Sequence, residues 1–443
     1  MNRNNTCVLV LAAGKGTRMN SSTPKPLQKI LETPALDFIL DVVQGLETFV
    51  VSSEEIENYL LSSNKKVSII KQDNDGYGTG YAVLSSLKYI KSFKRVLIIQ
   101  ADDPLIEKDD INLLMNDDKN KVLYLNYEER YKNCSELVVK KGLLKEIKGK
   151  SCDKSKFINI GRYILNIDDL IDAGKEYLKS YKEGEYSLPD IINIMIKRGR
   201  KVFAEKSISS FLNMNTRKEL YEVNRLMQER INLRHISNGV LLSSLESIII
   251  GKDVEIASDT KIIGPTQIYG KTTIGKKCII NSSYIENSMI EEETSILFSV
   301  INNAIINDRV IIGPFAHLRP QSYIGAKSVI GNFVEIKNAN IGNACKARHL
   351  SYLGDVDIGT GSNIGCGSIT ANYDGKNKHH TGIGSNCFIG CNSTLVAPIV
   401  IEDNCFIAAG STITEDVKSE SLAIGRARQV NKEHRAKDYL KKE

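Results

Sequence analysis

The sequence predicts two folds in one chain: a Rossmann-like α/β domain, then a parallel β-helix of hexapeptide repeats. Three observations carry this. Between about residues 250 and 424, isoleucine, often followed by glycine, recurs at multiples of six: Ile268/Ile274, Ile324-Gly325/Ile330-Gly331, Ile358-Gly359/Ile364-Gly365 and Ile383-Gly384/Ile389-Gly390. Before residue 215, short apolar runs alternate with helical stretches. Between the two lies a stretch without Gly or Pro, 216–234, rich in Glu, Arg, Leu and Met.

Six is neither a helix period nor a plain strand period; it is the repeat of a hexapeptide β-helix. Each hexad supplies a short strand and a corner, three hexads close one triangular coil, and the Ile and Val side chains stack inward. Glycine is expected at the corners, where backbone dihedrals are awkward for other residues. A β-sandwich would instead alternate with period two and turn at irregular intervals.

In the first part, residues 8–12 read as a strand, 35–45 as an amphipathic helix, 49–52 as a strand, 54–62 as a helix and 67–71 as a strand. A helix over 80–93 and an apolar strand over 95–100 follow. This alternation predicts a doubly wound domain with a parallel sheet, which binds ligands at the carboxyl ends of its strands. Residues 216–234 read as one helix, with Asn215 and Thr216 as caps. From about residue 241 the composition shifts to Ile, Val, Gly, Ser and Asn. The expected parts are therefore 1–215, a linker helix in 216–240, the β-helix over 241–428 and a basic tail over 429–443.

With 443 residues the chain calls for two or three domains, and 42% hydrophobic with 25% charged residues is ordinary for a soluble protein. No apolar run approaches the ~20 residues of a membrane span, and 7–13 is too short for a signal peptide, so a cytoplasmic protein without membrane contact is expected. Nine cysteines without a CxxC pair read as reduced thiols. Cys387 and Cys405, eighteen apart, would stack ~4.8 Å apart, near disulfide range, and are read as small residues lining a coil. No histidine stands at zinc-ligand spacing from a cysteine pair. The net charge of +6 suits anionic small substrates; the absence of Trp and of aromatics between the charges argues against nucleic acid.

Two constellations carry chemistry. The first is LAAGKGTRM over 11–19, followed by Pro24-Lys25-Pro26-Leu27. A strand runs into a glycine loop whose N–H groups can approach an anion, with Lys15, Arg18 and Lys25 adding positive charge. It matches neither a Walker A loop nor a dinucleotide fingerprint; it reads as a phosphate cradle, the alternative being an ordinary glycine turn.

The whole string resembles the signature of sugar-phosphate nucleotidyltransferases. Its pairing with a hexapeptide repeat resembles the bifunctional bacterial family that joins UDP-N-acetylglucosamine pyrophosphorylase to glucosamine-1-phosphate N-acetyltransferase, over nearly the whole chain. That resemblance implies an α/β nucleotidyltransferase domain followed by a left-handed parallel β-helix. It implies in-line attack of a sugar 1-phosphate on the α-phosphorus of UTP, chemistry that needs positioning and charge neutralisation. Arg18 and Lys25 would clamp the phosphates, and Leu11, Ala12, Ala13 and Gly14 would contact the nucleotide. Gln72 and the turn Gly78-Thr79-Gly80 would hold the uracil, and Asn159 the sugar. Asp102, at a strand's carboxyl end, would hold Mg²⁺ with Asn215; a helix cap within residues 101–105 is the alternative.

This end also departs from the family. Tyr131-Lys132-Asn133-Cys134 stands where the family has Gly-Tyr-Gly-Arg, and the family's sugar-binding glutamate falls near Gly149, with Glu146 the nearest carboxylate. Gln100-Ala101-Asp102 replaces Tyr-Gly-Asp.

The second constellation lies in the repeat: Leu318-Arg319-Pro320, Lys337, HLSYLG over 349–354, Asn363, Asn372-Tyr373-Asp374-Gly375 and Lys378. By the same resemblance His349 is the general base that takes a proton from the glucosamine 1-phosphate amine as it attacks the acetyl-CoA thioester, a task suited to its pKa. Arg319, Lys337 and Lys378 would bind the sugar phosphate, and Tyr352 and Asn363 the sugar. Asn372 and Tyr373 would flank the reacting groups. Cys366, Cys391, Ala409 and Arg426 would lie along the substrate and coenzyme A, with Cys391 where the family commonly has serine, a stronger hydrogen-bond donor. His317, His379 and His380 are read as solvated surface. The basic tail is read either as a solvated end or as an arm reaching a neighbour's coenzyme A. The family forms trimers, with each acetyl-transfer site between neighbouring β-helices. Two rival readings remain open here: an acetyltransferase with an altered or inactive nucleotidyl site, and a non-enzymatic exchange or assembly subunit.

Overall fold

The computed structural model describes residues 5–14, 16–72, 75–131, 134–150, 156–180 and 183–440. Lys15, Lys132 and Asn133, named above, lie outside them. The chain divides into two compact units, Met1–Met227 and Gln228–Glu443.

The first unit is built on β1 (Thr6–Leu11), a small hairpin of β2 (Lys29–Ile30) and β3 (Thr33–Pro34), then β4 (Glu47–Ser52), β5 (Ser68–Lys71), β6 (Arg95–Gln100) and β7 (Asn120–Asn126). β8 (Ser135–Lys140), β9 (Leu143–Lys150), β10 (Phe157–Asn166) and β11 (Val202–Lys206) complete it. Its helices are α1 (Ala35–Val42), α2 (Glu54–Ser62), α3 (Thr79–Ile90), α4 (Lys108–Met115), α5 (Ile167–Ser180) and α6 (Leu188–Lys197). α7 (Arg217–Ser237) runs through the divide between the units.

Alternation along β1 shows why the sheet is doubly covered. Cys7 and Leu9 join a core with Val83 of α3, Leu170 of α5 and Ile191 of α6. Val8 and Val10 join the opposite core, with Leu36 of α1, Ile56 of α2 and Ile111 of α4. Both faces are apolar, so the strand reads as a continuous apolar run.

The sheet is not wholly parallel, as the element alternation had suggested. Its order is β5-β4-β1-β6-β10-β7-β11-β9-β8. The first four strands are parallel, but β10 lies antiparallel between β6 and β7. β8 and β9 pair as an antiparallel ribbon, and β10 also pairs with β8. The β8–β9 hairpin reverses the chain, and β10 keeps the reversed direction. The helix expected from residue 80 starts at Thr79, and α7 continues three residues beyond the expected Arg234. A capping box opens α7: Glu219 N donates to Thr216 Oγ1 at 3.2 Å, and Asn215 N donates to the Glu219 carboxylate at 2.8 Å.

One buried cation ties this unit together. Arg162 of β10 is fully buried. Its guanidinium donates to both oxygens of Asp103 at 2.5 and 2.8 Å, to Asp110 of α4, and to Ser207 and Ser209 at 2.8 and 2.7 Å. Every partner is itself buried, so the charge is fully satisfied.

In the second unit each short strand pairs in parallel with the one a coil later. Ile250, Ile268, Ile285, Ile301, Leu318, Ile336 and Leu353 form one inward column. All seven are essentially inaccessible, and each contributes on the order of 1.5–3 kcal/mol by leaving water. The coil is not a constant three hexads. Ile250 stacks on Ile268, but Ile285 on Ile301 and Leu353's neighbour Tyr352 on Ile369, and Val356 on Thr381 because residues 373–380 are looped out.

The corners also differ from expectation. Left-handed backbone there is carried largely by other residues, among them Ser282, Asn287, Phe298, Asn303, Phe315 and Phe333. The glycine after isoleucine serves closeness instead. A Cβ on Gly331 would lie 1.8 Å from the Arg348 carbonyl oxygen of the next coil. Among the described residues, no helix is long and apolar enough to cross a membrane.

Arg162→Ala should leave Asp103 and Asp110 buried without their cation and destabilise the first unit by about 3–5 kcal/mol. Denaturant unfolding followed by hydrogen exchange should show protection lost in β10 and α4 and kept in the β-helix coils; equal loss in both units would contradict this assignment.

Candidate active sites

In the first unit the parallel strands end at one edge. Leu11 is level with Val51 and Gln100, and Val51 with Ile70. The chain leaves that edge at Ala12, Ala13 and Gly14, at Gln72, and at Ala101-Asp102. Lys25 enters from a short 3-10 turn and Asn215 from the start of α7.

These residues meet around one ammonium group. Lys25 Nζ donates to Asp102 Oδ2 at 2.7 Å and to Asn215 Oδ1 at 2.8 Å, while Arg18 donates to the same amide oxygen at 3.1 Å. The Lys25 and Asp102 side chains are 15% and 14% exposed, so this pair is only partly screened by water. Asp102 Oδ1 is buried without a partner. A carboxylate and an amide oxygen already converging on a cation, with one carboxylate oxygen spare, fit a hard divalent ion that keeps most of its own waters.

Beside this lies a cavity of about 160 Å³ lined by Leu11, Thr79, Gln100, Cys134, Asn159 and Gly161 among others. It brings together three of the residues expected there: Leu11, Thr79 and Asn159. Asn159 is held by its neighbours, its Oδ1 accepting from Gly161 N at 3.1 Å and from the Tyr163 hydroxyl at 2.9 Å. Gly78, in left-handed backbone, has Tyr186 O 2.4 Å from where a Cβ would stand, so no other residue fits. Gln72 is placed by its N–H to Ser52 O at 3.1 Å and does not line the cavity. Nor does Glu146, which is exposed on β9. Tyr131 is buried against Phe211. Cys134 does line the cavity, where burial, with Asp102 and Glu219, pushes its thiol up to about 11.

The second site lies on consecutive coils, where residues 329–341 and 346–358 pair along their whole length. Arg319 stacks on Lys337 and Lys337 on Gly354. Glycine puts no side chain in the third place, and the Tyr352 hydroxyl lies 2.5 Å from where its Cβ would be. Arg319 pairs with Glu335 at 2.8 Å. Lys378 arrives from the looped-out segment, which is closed by a bridge between Tyr373 and Lys378 and by Asp374, whose Oδ1 accepts from the N–H groups of Lys376 and Asn377 at 2.7 Å. The adjoining column is Asn338, Asp355 and Asn372: Asn338 donates to Asp355 at 2.6 Å, and Asn372 donates to its other oxygen.

The charges here are mutually strained. Lys378 beside it, and then Arg319, hold the Lys337 ammonium below the ordinary lysine range. Burial pushes the Asp355 carboxyl up, but hydrogen bonds from Asn338 and Asn372, with Lys378 and Lys337, outweigh it and hold it below the usual range. Arg319, Lys337 and Lys378 lie close enough together to repel one another, an arrangement that a phosphate group would neutralise.

His349 is level with Asn332, and its Nδ1–H donates to Asn332 Oδ1 at 3.1 Å. An amide oxygen only accepts, so in a neutral imidazole this contact would place the proton on Nδ1 and leave the Nε2 lone pair free, the form a general base needs. The coil offsets continue this column through Cys366, Cys391 and Ala409. Arg426 lies against Gly410, beside Ala409. Asn363 stands in a different column, between Lys346 and Phe388. Tyr373 is exposed, its hydroxyl donating to Gly375 O at 2.8 Å. His317 is exposed, as expected, but His379 and His380 are paired, with Asp374 at 2.7 Å and Asp357 at 3.0 Å.

Three partners in this site carry no motif of their own: Asn332, Glu335 and Asp355. Counting one coil of seventeen back from His349 and from Asn372 finds Asn332 and Asp355. Glu335, two residues before Lys337, needed the geometry.

Residues 8–160 match the family model of the MobA-like NTP transferase domain. Residues 303–338 match the bacterial transferase hexapeptide (six repeats), and 380–415 the hexapeptide repeat of succinyl-transferase. Along its length the chain is 38% identical to the bifunctional protein GlmU of Clostridium beijerinckii, covering 96% of this chain and 97% of the relative. It is likewise 38% identical to that of Clostridium acetobutylicum, with the same coverage. The chain belongs to the bifunctional GlmU family. With the GlmU of Halalkalibacterium halodurans it shares 37% identity over 97% of this chain and 98% of the relative. It is thus a bifunctional transferase, a nucleotidyltransferase unit joined to a hexapeptide acetyltransferase unit.

Because Lys337 is held below the ordinary lysine range, it loses its charge at a lower pH than a free lysine, and anion affinity falls as pH rises through that region. Inorganic phosphate titrated against the full chain should bind more weakly at pH 10 than at pH 7, with net proton uptake in the alkaline range. Lys337→Gln should flatten this dependence; an unchanged profile would remove Lys337 from the phosphate site.

Proposed function

We propose that this GlmU-family chain acetylates glucosamine 1-phosphate from acetyl-CoA in its second unit. In its first it transfers a uridylyl group from UTP, giving UDP-N-acetylglucosamine and pyrophosphate. The observation that carries the reading is the presence in one chain of two complete charge arrangements of different kinds. One is a lysine bridging a carboxylate and an amide; the other is a histidine base on the same coils as three cations.

In acetyl transfer, Arg319, Lys337 and Lys378 hold the phosphate and so fix the sugar. Tyr352, with Asn363, contacts its ring hydroxyls. His349 Nε2 accepts the amine proton as nitrogen attacks the thioester carbonyl, and the Asn332 oxygen stabilises the resulting imidazolium through Nδ1–H. Asn372 and Tyr373 flank the reacting atoms, while Cys366, Cys391, Ala409 and Arg426 line the path of coenzyme A.

In uridylyl transfer, Ala12, Ala13 and Gly14 lie along the nucleotide, Gln72, Gly78 and Thr79 hold the base, and Asn159 the sugar. Lys25 and Arg18 place positive charge against the phosphates, where the displacement needs it most. Asp102 and Asn215 would hold Mg²⁺, which when bound supplies further neutralisation of the phosphate oxygens.

A trimer is part of this proposal. Phe298, Phe315 and Phe333 stack as an exposed ladder that Leu350 extends, next to the His349 column. An exposed apolar strip beside an open catalytic residue supports coverage by a neighbouring subunit. The reduced cysteines support a cytoplasmic setting.

The two half-reactions should separate by mutation. His349→Ala should lower acetyl transfer by about 10²–10⁴-fold and leave uridylyl transfer near its normal rate. Lys25→Ala should lower uridylyl transfer by about a hundredfold or more and spare acetyl transfer. No pyrophosphate release from UTP and N-acetylglucosamine 1-phosphate would leave an acetyltransferase alone, and survival of both rates in both variants would sink these assignments.

A further inference from the structure

Eight cysteines fall among the described residues, all free, and just two of these are exposed: Cys366 and Cys391. The other six are buried or half-buried. Cys387 and Cys405 also sit on consecutive coils, but each thiol points inward and donates to a carbonyl, Glu402 O and Lys418 O, both at 3.1 Å. Burial raises the thiol pKa of Cys7, Cys134, Cys278, Cys345 and Cys387, which keeps them inert.

The two exposed thiols are also consecutive members of one column. Ile364 stacks on Ile389 and Ile369 on Thr394, so Cys366 between them is level with Cys391. The Asn392 N–H donates to Cys366 O at 2.7 Å, which fixes the two coils together at this corner. Neighbouring strands lie ~4.8 Å apart, within the ~4.4–6.8 Å between Cα atoms that a disulfide spans. His349 precedes the pair in the column and Ala409 follows it.

We propose that Cys366 and Cys391 are an oxidisable thiol pair in the acetyl-transfer groove, whose disulfide blocks acetyl transfer. The site takes a low-molecular-weight disulfide as oxidant. One protein thiolate attacks a sulfur of that disulfide and expels one thiol, leaving a mixed disulfide. The second protein thiolate then attacks the protein sulfur of the mixed disulfide and expels the other half. Two protein thiols are oxidised, one small disulfide is reduced to two thiols, and the two protons lost by the protein end on those thiols. Acetyl transfer itself releases a thiol into this groove, so thiol chemistry is native to it. The inference about inhibition rests on the acetyl-transfer reading above; the inference about the cross-link does not.

The test uses the full chain, reduced and then exposed to oxidised glutathione. Peptide mass spectrometry without reduction should find a Cys366–Cys391 cross-link that dithiothreitol reverses. Acetyl transfer should fall at least about tenfold as the groove is narrowed, and recover on reduction, while uridylyl transfer is unchanged. Cys366→Ala/Cys391→Ala should show a ratio of oxidised to reduced activity near one, whatever its own rate. Single variants should trap the glutathione adduct on the remaining thiol. The proposal is overturned by absence of the cross-link, by a cross-link with no loss of rate, or by inhibition that persists in the double variant. A reduced protein with no acetyl transfer would overturn the functional reading, and the mass spectrum would still decide the cross-link.

Discussion

Coil register is the constraint on which the second unit depends. The inward column from Ile250 to Leu353 allows one apolar residue per coil at each place, and a slip of one residue would turn Leu353 outward and Tyr352 inward. That same register decides which outward residues become neighbours. It sets Arg319 over Lys337, Asn338 over Asp355 over Asn372, and Asn332 over His349 over Cys366. The proposed acetyl-transfer site is thus a by-product of stacking: no loop has to fold to assemble its columns, apart from the segment that brings Lys378. Packing that buries the isoleucines fixes the spacing of these outward side chains at no extra conformational cost, because the backbone is already ordered.

The first unit uses another device. Its strands end at one edge, but Asp102 and Asn215 lie on segments that leave the sheet, and something must hold those segments still. Arg162 does this through buried hydrogen bonds. It grips Asp103, next to Asp102, and the Ser207–Ser209 stretch that leads toward Asn215. A buried ion cluster contributes little net stability compared with an apolar core. Its use here is positional: a guanidinium with donors in fixed directions sets three chain segments at once.

Most of the architecture was legible from periodicity. Glu54–Ser62 and Arg95–Gln100 fall at the bounds their patterns set, because each is a clean run between polar breaks. The antiparallel β10 was not legible, since strand direction is decided by a connection outside the local pattern. The role of glycine after isoleucine was misjudged for a similar reason: the steric demand at Gly331 comes from Arg348, seventeen residues away. In the sites, Lys25, Asp102 and Asn215 were found through motif resemblance and meet at one point. Asp355 and Asn332 lie outside any motif, and their importance appears once the coil length is known to be seventeen there, not eighteen.

The two sites differ in what they lack, and the difference follows from burial. Asp102 Oδ1 is buried with no partner, a deficit worth about 1–3 kcal/mol. A folded protein keeps such a cost where a ligand removes it. Around Lys337 the imbalance has the opposite sign: Lys378 and Arg319 crowd its ammonium at the surface, where water and salt blunt their repulsion. The first site therefore holds an unpartnered carboxylate oxygen beside Lys25 and Arg18, and the second a crowd of cations. The buried carboxylate oxygen of the first unit and the crowded cations of the second are thus two electrostatic settings of opposite kind, fixed by burial in one and by coil register in the other.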